Sequence, residues 1–305
     1  MCDVLLCDYY KQWIDIYKNG AVTDATLKKY LAAYNWLVKI APDMKLADVN
    51  RLNYQGILNE YALHHERQTV IDFNRYVKSA LLDALDDGLI SKDPTRKVVI
   101  KGRKPREKKI KFLSQFELQL LVKDLDLQGV INWDYLIFLI IKTGLRFSEA
   151  LGLTVKDFDF SRQTISVNKT WDYKDGTGFM KTKTASSVRK IQIDWSTATR
   201  FAELIKGMNE SRPIFVQEDV DVYNSTVNDV LERHCKNVGI PVISIHGLRH
   251  THASLLLYAG ASLASVSRRL GHSDIVTTEK VYLHVIRELE SQDIDVIMRS
   301  LSQLG

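Results

Sequence analysis

The residues able to do chemistry gather in two parts of the chain. One is KTGLRFSEALGL, which holds Arg146; the other runs from His246 to Tyr282 through HGLRHTHASLLL and LGHSDIVTTEKVYLHV. The second part sets His246 and Arg249 three residues apart at an expected helix start, His272 directly after a glycine, and Tyr282 ten residues further on. Arginine grips phosphate bidentately and stays charged at any physiological pH. Tyrosine, with a reference pKa of about 10, is a poor nucleophile unless its target is strongly activated. Together these residue types point to a phenol attacking a phosphodiester held in a cationic clamp.

The spacing says more than the residue list. TGLR-x-SEALGL, H-x-LRHTHAS and LGH-x9-Y, in that order, closely resemble the three active-site boxes of the tyrosine recombinases, the phage integrase family. The resemblance implies that Arg146 and the pair His246 and Arg249 grip the scissile phosphate, that His272 hydrogen-bonds it, and that Tyr282 forms a 3′-phosphotyrosyl link. It also implies a catalytic lysine in a β-hairpin. Counted back from Arg189, the family register K-T-x-x-S-x-R selects Lys183, with Lys181 on the same strand face as the open alternative. In this scheme the arginines neutralise the non-bridging oxygens as charge builds in the transition state. The histidines add hydrogen bonds and handle the tyrosine proton, and the lysine protonates the departing 5′ oxygen.

Because a phosphotyrosyl link conserves the bond energy, no nucleotide, metal or other cofactor is expected. The implied partners are double-stranded DNA with attachment or core sites, further copies of the chain assembled on it as a tetramer, and an excisionase or host architectural protein. The hairpin KTKTASSVRKI is similar to that of integrases of phages and conjugative transposons, so integrating or excising a mobile element is the expected role. Type IB topoisomerase-like relaxation and chromosome-dimer resolution are the alternatives. A zinc enzyme is a further rival, because His246, His250 and His252 could mimic ligands. That H-x3-H lacks a zincin's internal Glu and encloses Arg249, so His250 and His252 read as structural residues instead.

The elements that must position these groups follow from periodicity. WDYLIFLIIKTG (133–144) is nearly all apolar, hence a buried helix, with Gly144 just past its end. Arg146 then follows a rigid core helix, and Glu149, one turn on, is placed to orient it. Ser114 and Glu117 form a capping box for the helix before it. QTISVNKT, GFMKTKT and SVRKIQI alternate as strands, and the resemblance implies that they form a small antiparallel sheet. Helices are expected over TATRFAELIKGM and STVNDVLERHCKNVGI, then from the His246 box, where Leu248, Leu255 and Leu256 turn inward. Another ends at Gly271. A last one starts near Thr277 or Thr278, carries Tyr282, and runs into an amphipathic tail with Ile294, Ile297, Met298 and Leu301 in its stripe, either core or docked on a neighbouring protomer.

Upstream, residues 3–18, 24–40, 50–63 and 68–87 read as helices with no strand pattern. Leu27, Tyr30, Leu31, Tyr34, Leu37 and Val38 mark the inward face of the second. The fold class is therefore mainly α: a small helical domain (1–100), a linker (101–111), and a mostly helical domain with a small antiparallel sheet and a tail (112–305). The first resembles the core-binding, SAM-like DNA-binding domain of the family, and the third its catalytic domain. The first helix begins almost at Met1, which leaves no room for an arm-binding module; the chain is either of a simpler type or a core fragment. The linker KGRKPREKKIK carries Lys101, Arg103, Lys104, Arg106, Lys108 and Lys109, which read as a basic strap along a DNA backbone rather than a merely solvated connector.

Composition constrains less. A chain of 305 residues with 45% apolar content can build two cores. A net charge of +5 is mildly basic. Three cysteines without a C-x-x-C pair indicate neither a disulfide framework nor a thiolate site. No apolar run approaches a membrane span and no signal-peptide pattern is present, so a cytoplasmic location is expected.

Overall fold

Helices dominate the computed structural model, which describes residues 4–104, 112–174, 176–182, 184–217 and 220–282. The chain divides into two compact units, Met1–Lys108 and Lys109–Gly305.

The first unit holds α1 (Leu6–Tyr17), α2 (Asp24–Ile40), α3 (Arg51–His64) and α4 (Arg67–Asp86). Its core is unusually aromatic, with Tyr10, Trp13, Tyr54, Tyr61 and Phe73 packed among Ile14, Leu37, Leu58, Val77 and Leu81. Two polar contacts fix the register of the packing: Trp13 Nε1 donates to Asp83 Oδ2 of α4 at 2.6 Å, and Tyr54 Oη to Asn74 Oδ1 at 2.8 Å. On α2 the inward stripe is Ala33 and Leu37, and Val38, expected inside, is 38% exposed. At 100° per residue Val38 lies off the line through Ala33 and Leu37, and the small Ala33 takes the close approach instead. The chain after α4 returns along this unit. Arg103 donates its backbone N–H to His65 O at 2.8 Å and its Nε to Leu63 O at 2.5 Å. Lys101, Arg103 and Lys104 are all solvent-exposed, while Arg106, Lys108 and Lys109 lie outside the described residues.

The second unit is built around α6 (Trp133–Thr143), whose residues from Asp134 to Ile141 are all buried. It lies against α7 (Phe147–Leu151), α9 (Asn224–Asn237) and α10 (Ile245–Tyr258). α5 (Gln115–Asp124) begins with the expected capping box between Ser114 and Glu117. His234 of α9 ties the layer together: its Nδ1 meets Asp124 Oδ2 at 2.8 Å and its Nε2 meets Asp134 Oδ1 at 3.0 Å. α8 (Trp195–Leu204) closes one side, with Phe201 fully buried. α11 (Leu263–Leu270) and a helix starting at residue 275 complete the described part. The tail stripe of Ile294, Ile297, Met298 and Leu301 lies outside it.

The strands differ from expectation in one respect. They form two sheets: β1 (Phe158–Asp159), β2 (Thr164–Val167) and β5 (Arg189–Gln192) in the order β1-β2-β5, and a separate hairpin of β3 (Lys169–Asp172) with β4 (Gly178–Lys181). Pairing is antiparallel throughout, with Ile165 opposite Ile191 and Val167 opposite Arg189. QTISVNKT thus splits at Asn168. Its first half turns Ile165 and Val167 into the core, whereas β3 is half-buried throughout and β4 faces mainly outward.

The last helix also starts earlier than Thr277. Asp274 Oδ1 accepts from the backbone N–H of Val276 at 2.9 Å, so Asp274 serves as the cap and residues 275 and 276 join the first turn. On α10, Leu255 and Leu256 are half-buried and Leu257 takes the fully inward position. Among the described residues no helix is long and apolar enough to cross a membrane.

Candidate active site

Two helix C-termini form the floor of the site. α6 ends at Gly144 and α11 at Gly271, both left-handed, with φ of +68° and +69°. An α-helix leaves its last carbonyls unpaired and carries partial negative charge at that end, which suits guanidinium groups. Arg249, from the first turns of α10, donates Nη1 to Gly144 O at 2.6 Å and Nη2 to Leu270 O at 2.7 Å. Arg146 donates Nη2 to Gly271 O at 3.1 Å. Arg189, on β5, donates Nε to Arg269 O at 2.6 Å. Three guanidinium groups from three different elements are thereby held against one pair of helix ends.

Glu149 provides the counter-charge. It is 1% exposed, accepts from Arg146 Nη1 at 2.6 Å, and receives Arg189 at 3.2 and 2.9 Å on its two oxygens. Burial alone would raise its pKa; the hydrogen bonds and charge of Arg189, with the charge of Arg146, outweigh it and hold the carboxyl below the usual range. Glu149 also caps α7 by accepting from the Arg146 N–H at 3.0 Å. In the sequence Arg189 serves only to set the hairpin register. The R of S-x-R was the available signal, and its structural part was missed.

The glycines at these ends are required twice over. A Cβ on Gly144 would lie 2.6 Å from the His252 ring, and one on Gly271 would lie 2.8 Å from Arg189 Nη1. In both cases the left-handed backbone already disfavours a side chain.

His272 follows Gly271 directly, its Nδ1 2.7 Å from the Thr278 hydroxyl. Burial, then the charges of Arg249, Arg146 and Arg189, push its pKa down to about 4. His246 is lowered for the same reasons, burial first and then Arg249 and Arg146. Burial foremost, and next Arg146, also push Arg249 down, to about 9. At neutral pH the two imidazoles are therefore uncharged among cations.

Tyr282 is 2% exposed. Its ring packs with Ala253, Leu257, Val266 and Leu270 of α10 and α11. Its hydroxyl lies 3.0 Å from His250 Nδ1, and the His250 ring meets that of His246 edge-on at 4.8 Å between centroids. Burial raises the phenol to about 12, against the lowering effect of Arg249. His252 does behave structurally. Its Nδ1 meets Ile141 O at 2.8 Å and its Nε2 accepts from Arg269 Nε at 2.9 Å, so both ring nitrogens are committed. His250 instead meets the tyrosine hydroxyl. With His252 turned away, the three imidazoles do not converge. Among the described residues no three His, Cys, Asp or Glu side chains group as a metal site.

The structure thus brings Arg146, His246, Arg249, His272 and Tyr282 together. Lys183 lies outside the described residues. Lys181, at the end of β4, is exposed and pairs across the hairpin with Lys169, which is itself bound to Asp157.

The family model described as the phage integrase family matches residues 111–288, more than half of the chain. The chain belongs to the phage integrase family. By that membership it is a tyrosine site-specific recombinase. It is 26% identical to a tyrosine recombinase XerC-like protein of Caldanaerobacter subterraneus subsp. tengcongensis, over 97% of this chain and 83% of the relative. It is 34% identical to the integrase of Staphylococcus phage L54a over 49% of this chain, and 30% identical to the ICEBs1 integrase of Bacillus subtilis over 50%. The matches span 47% and 45% of those two integrases, about half their length. Among solved structures, the Tn1549 transposon integrase in complex with a circular intermediate DNA aligns with a TM-score of 0.77 at 21% identity, over 94% of this chain and 99% of that one. A lambda integrase tetramer bound to a Holliday junction aligns at 0.65 and 17%, over 89% and 78%. At these identities the two structures establish the fold.

Proposed function

We propose that this integrase-family chain cleaves and rejoins double-stranded DNA through a 3′-phosphotyrosyl link on Tyr282, and that it integrates or excises a mobile element. The observation that carries the reading is the buried Tyr282 hydroxyl on the face of α10 that also bears His246 and Arg249, beside two further arginines tied to the same helix ends. Arg146 and Arg249 bind the non-bridging oxygens of the scissile phosphate, where charge grows in the transition state. Their carbonyl and carboxylate partners hold them in place beforehand, so little reorganisation is left for the reaction itself. His246 and His272, uncharged before DNA binds, donate hydrogen bonds to the same phosphate; its negative charge then offsets the arginine field that depresses them.

Lys183 is the proton donor to the 5′ oxygen. Its sequence neighbours support this. Ser187, four residues on, has its Oγ 2.9 Å from Thr184 Oγ1 and within 3.5 Å of Arg146 Nη1, so the K-T-x-x-S-x-R segment runs to the arginine cluster. Lys181 sits earlier, at the end of an outward-facing strand. The helical first unit and the basic residues Lys101, Arg103, Lys104, Arg106, Lys108 and Lys109 bind the DNA backbone, and several copies of the chain act on paired sites. The mobile-element role is favoured by the phage L54a, ICEBs1 and Tn1549 relatives.

The test is a reaction on two duplexes carrying the joined ends of the element that encodes the chain, run in EDTA without nucleotide. Recombinant products are expected. Relaxation of supercoils without exchanged strands, or exchange only after adding a divalent metal or ATP, would overturn the reading.

A further inference from the structure

The structure assigns a role to His250 that the three sequence boxes do not: we infer that it accepts the phenolic proton of Tyr282 as the tyrosine attacks. The inference rests on the proposed function, since it takes Tyr282 as the nucleophile.

The geometry is that of one helix face. His246, Arg249, His250, Ala253 and Leu257 lie on one side of α10: Arg249 and His250 stand three and four residues after His246, and Ala253 stands four and three after those two and four before Leu257. The first two are the phosphate-binding candidates. His250 contacts the Tyr282 hydroxyl at 3.0 Å, and Ala253 and Leu257 pack its ring. A single rigid element therefore sets the phosphate ligands, the nucleophile's ring and the acceptor for its proton in one register. His272 is less well placed for that proton, because its Nδ1 is engaged with Thr278. A phenol raised to about 12 by burial is almost never ionised at neutral pH, so an acceptor within hydrogen-bond reach has a task to perform.

The step balances as follows. The bond from Tyr282 Oη to phosphorus forms and the bond from phosphorus to the 5′ oxygen breaks. The phenolic proton passes to His250 Nδ1, on an imidazole that enters with its hydrogen on Nε2 and leaves as imidazolium. The 5′ oxygen takes its proton from the ammonium of the lysine general acid. Religation runs the same transfers backwards.

Two substitutions separate the possible roles. His250→Asn keeps a hydrogen-bond acceptor close to where Nδ1 stood but removes the base, and His250→Ala removes both. Covalent adduct formation is followed in single turnover on a nicked attachment-site duplex, with binding to the intact duplex and thermal unfolding as controls for folding. Both variants should bind DNA like wild type yet form the adduct about 10²–10⁴-fold more slowly. Placing 3,5-difluorotyrosine, a more acidic phenol, at position 282 should restore most of the rate to His250→Ala. Wild-type rates in His250→Asn would reduce His250 to a positioning residue, and no recovery with the difluorinated phenol would remove the base role; either overturns the inference. If Tyr282→Phe still forms the adduct, it is the nucleophile assignment that has failed. If Tyr282→Phe forms none while both His250 variants react normally, only the role of His250 falls.

Discussion

Glu149 and Arg189 illustrate how one residue can hold a site without touching what the site binds. Both side chains are almost wholly buried, at 1% and 7% exposure, and each is the other's main ionic partner. Removing one member of such a pair strands a buried charge, which costs about 3–5 kcal/mol. Arg189→Ala should therefore lower the unfolding free energy by about that amount, read from urea denaturation, and should loosen Arg146 through their shared carboxylate. A loss below about 1 kcal/mol would mean that Glu149 is satisfied by Arg146 alone.

The buried histidines make a second prediction at this scale. His252 is pushed down to about 3 by burial and then by Arg269, and His272 to about 4. Folded, both bind their proton more weakly than in the unfolded chain, where a pKa of about 6.5 applies. Between those values the unfolded state holds more protons, so acid favours it. Their stabilising contribution is intact above about pH 6.5 and is lost as pH falls towards 4 and then 3. Thermal midpoints should drop over that window, and His252→Phe, if it packs, should flatten the drop.

The convergence of Arg146, His246, Arg249, His272 and Tyr282 is legible in the sequence because each sits in a short motif whose spacing is local. The contacts of Arg189 with Glu149 and of His250 with Tyr282 are not, because they join residues 40 and 32 positions apart.

At the level of elements, helix ends matter more than helix bodies. The C-termini of α6 and α11 supply the carbonyls that seat Arg249, Arg146 and Arg189, and each ends on a left-handed glycine. Gly271→Ala would place a methyl group against the Arg189 guanidinium and force a left-handed backbone costing roughly 1–2 kcal/mol. Arg189 is pinned by Glu149 and cannot retreat freely. The variant should keep its helical circular dichroism but lose at least tenfold in adduct formation, and unchanged kinetics would show that this helix end tolerates displacement.

Helices were readable where apolar spacing was strong and capped, as in α4 and α6. The errors have local causes. The last helix starts early because Asp274 caps it, and Val38 faces out because the small Ala33 lets the helix approach along another line. Alternation reveals the strands but not which neighbour each pairs with, so their division into two antiparallel sheets is not legible in the sequence.

For the whole molecule, two cores of different character stand in two units, one rich in aromatic contacts and one built around an all-apolar helix. Within the second unit, one helix face, two helix ends and one strand converge on the same few ångströms, and we propose that this convergence serves the attack of Tyr282 on DNA. The most direct measurement uses a duplex nicked close to the cleavage point, so that a short fragment leaves and the adduct cannot reverse. Wild-type protein should become covalently trapped, with the DNA attached by its 3′ phosphate to the peptide that contains Tyr282, and Tyr282→Phe should bind the same duplex without trapping. A covalent complex formed by the phenylalanine variant, or one mapped to Tyr258 in the wild-type protein, would show that Tyr282 is not the nucleophile.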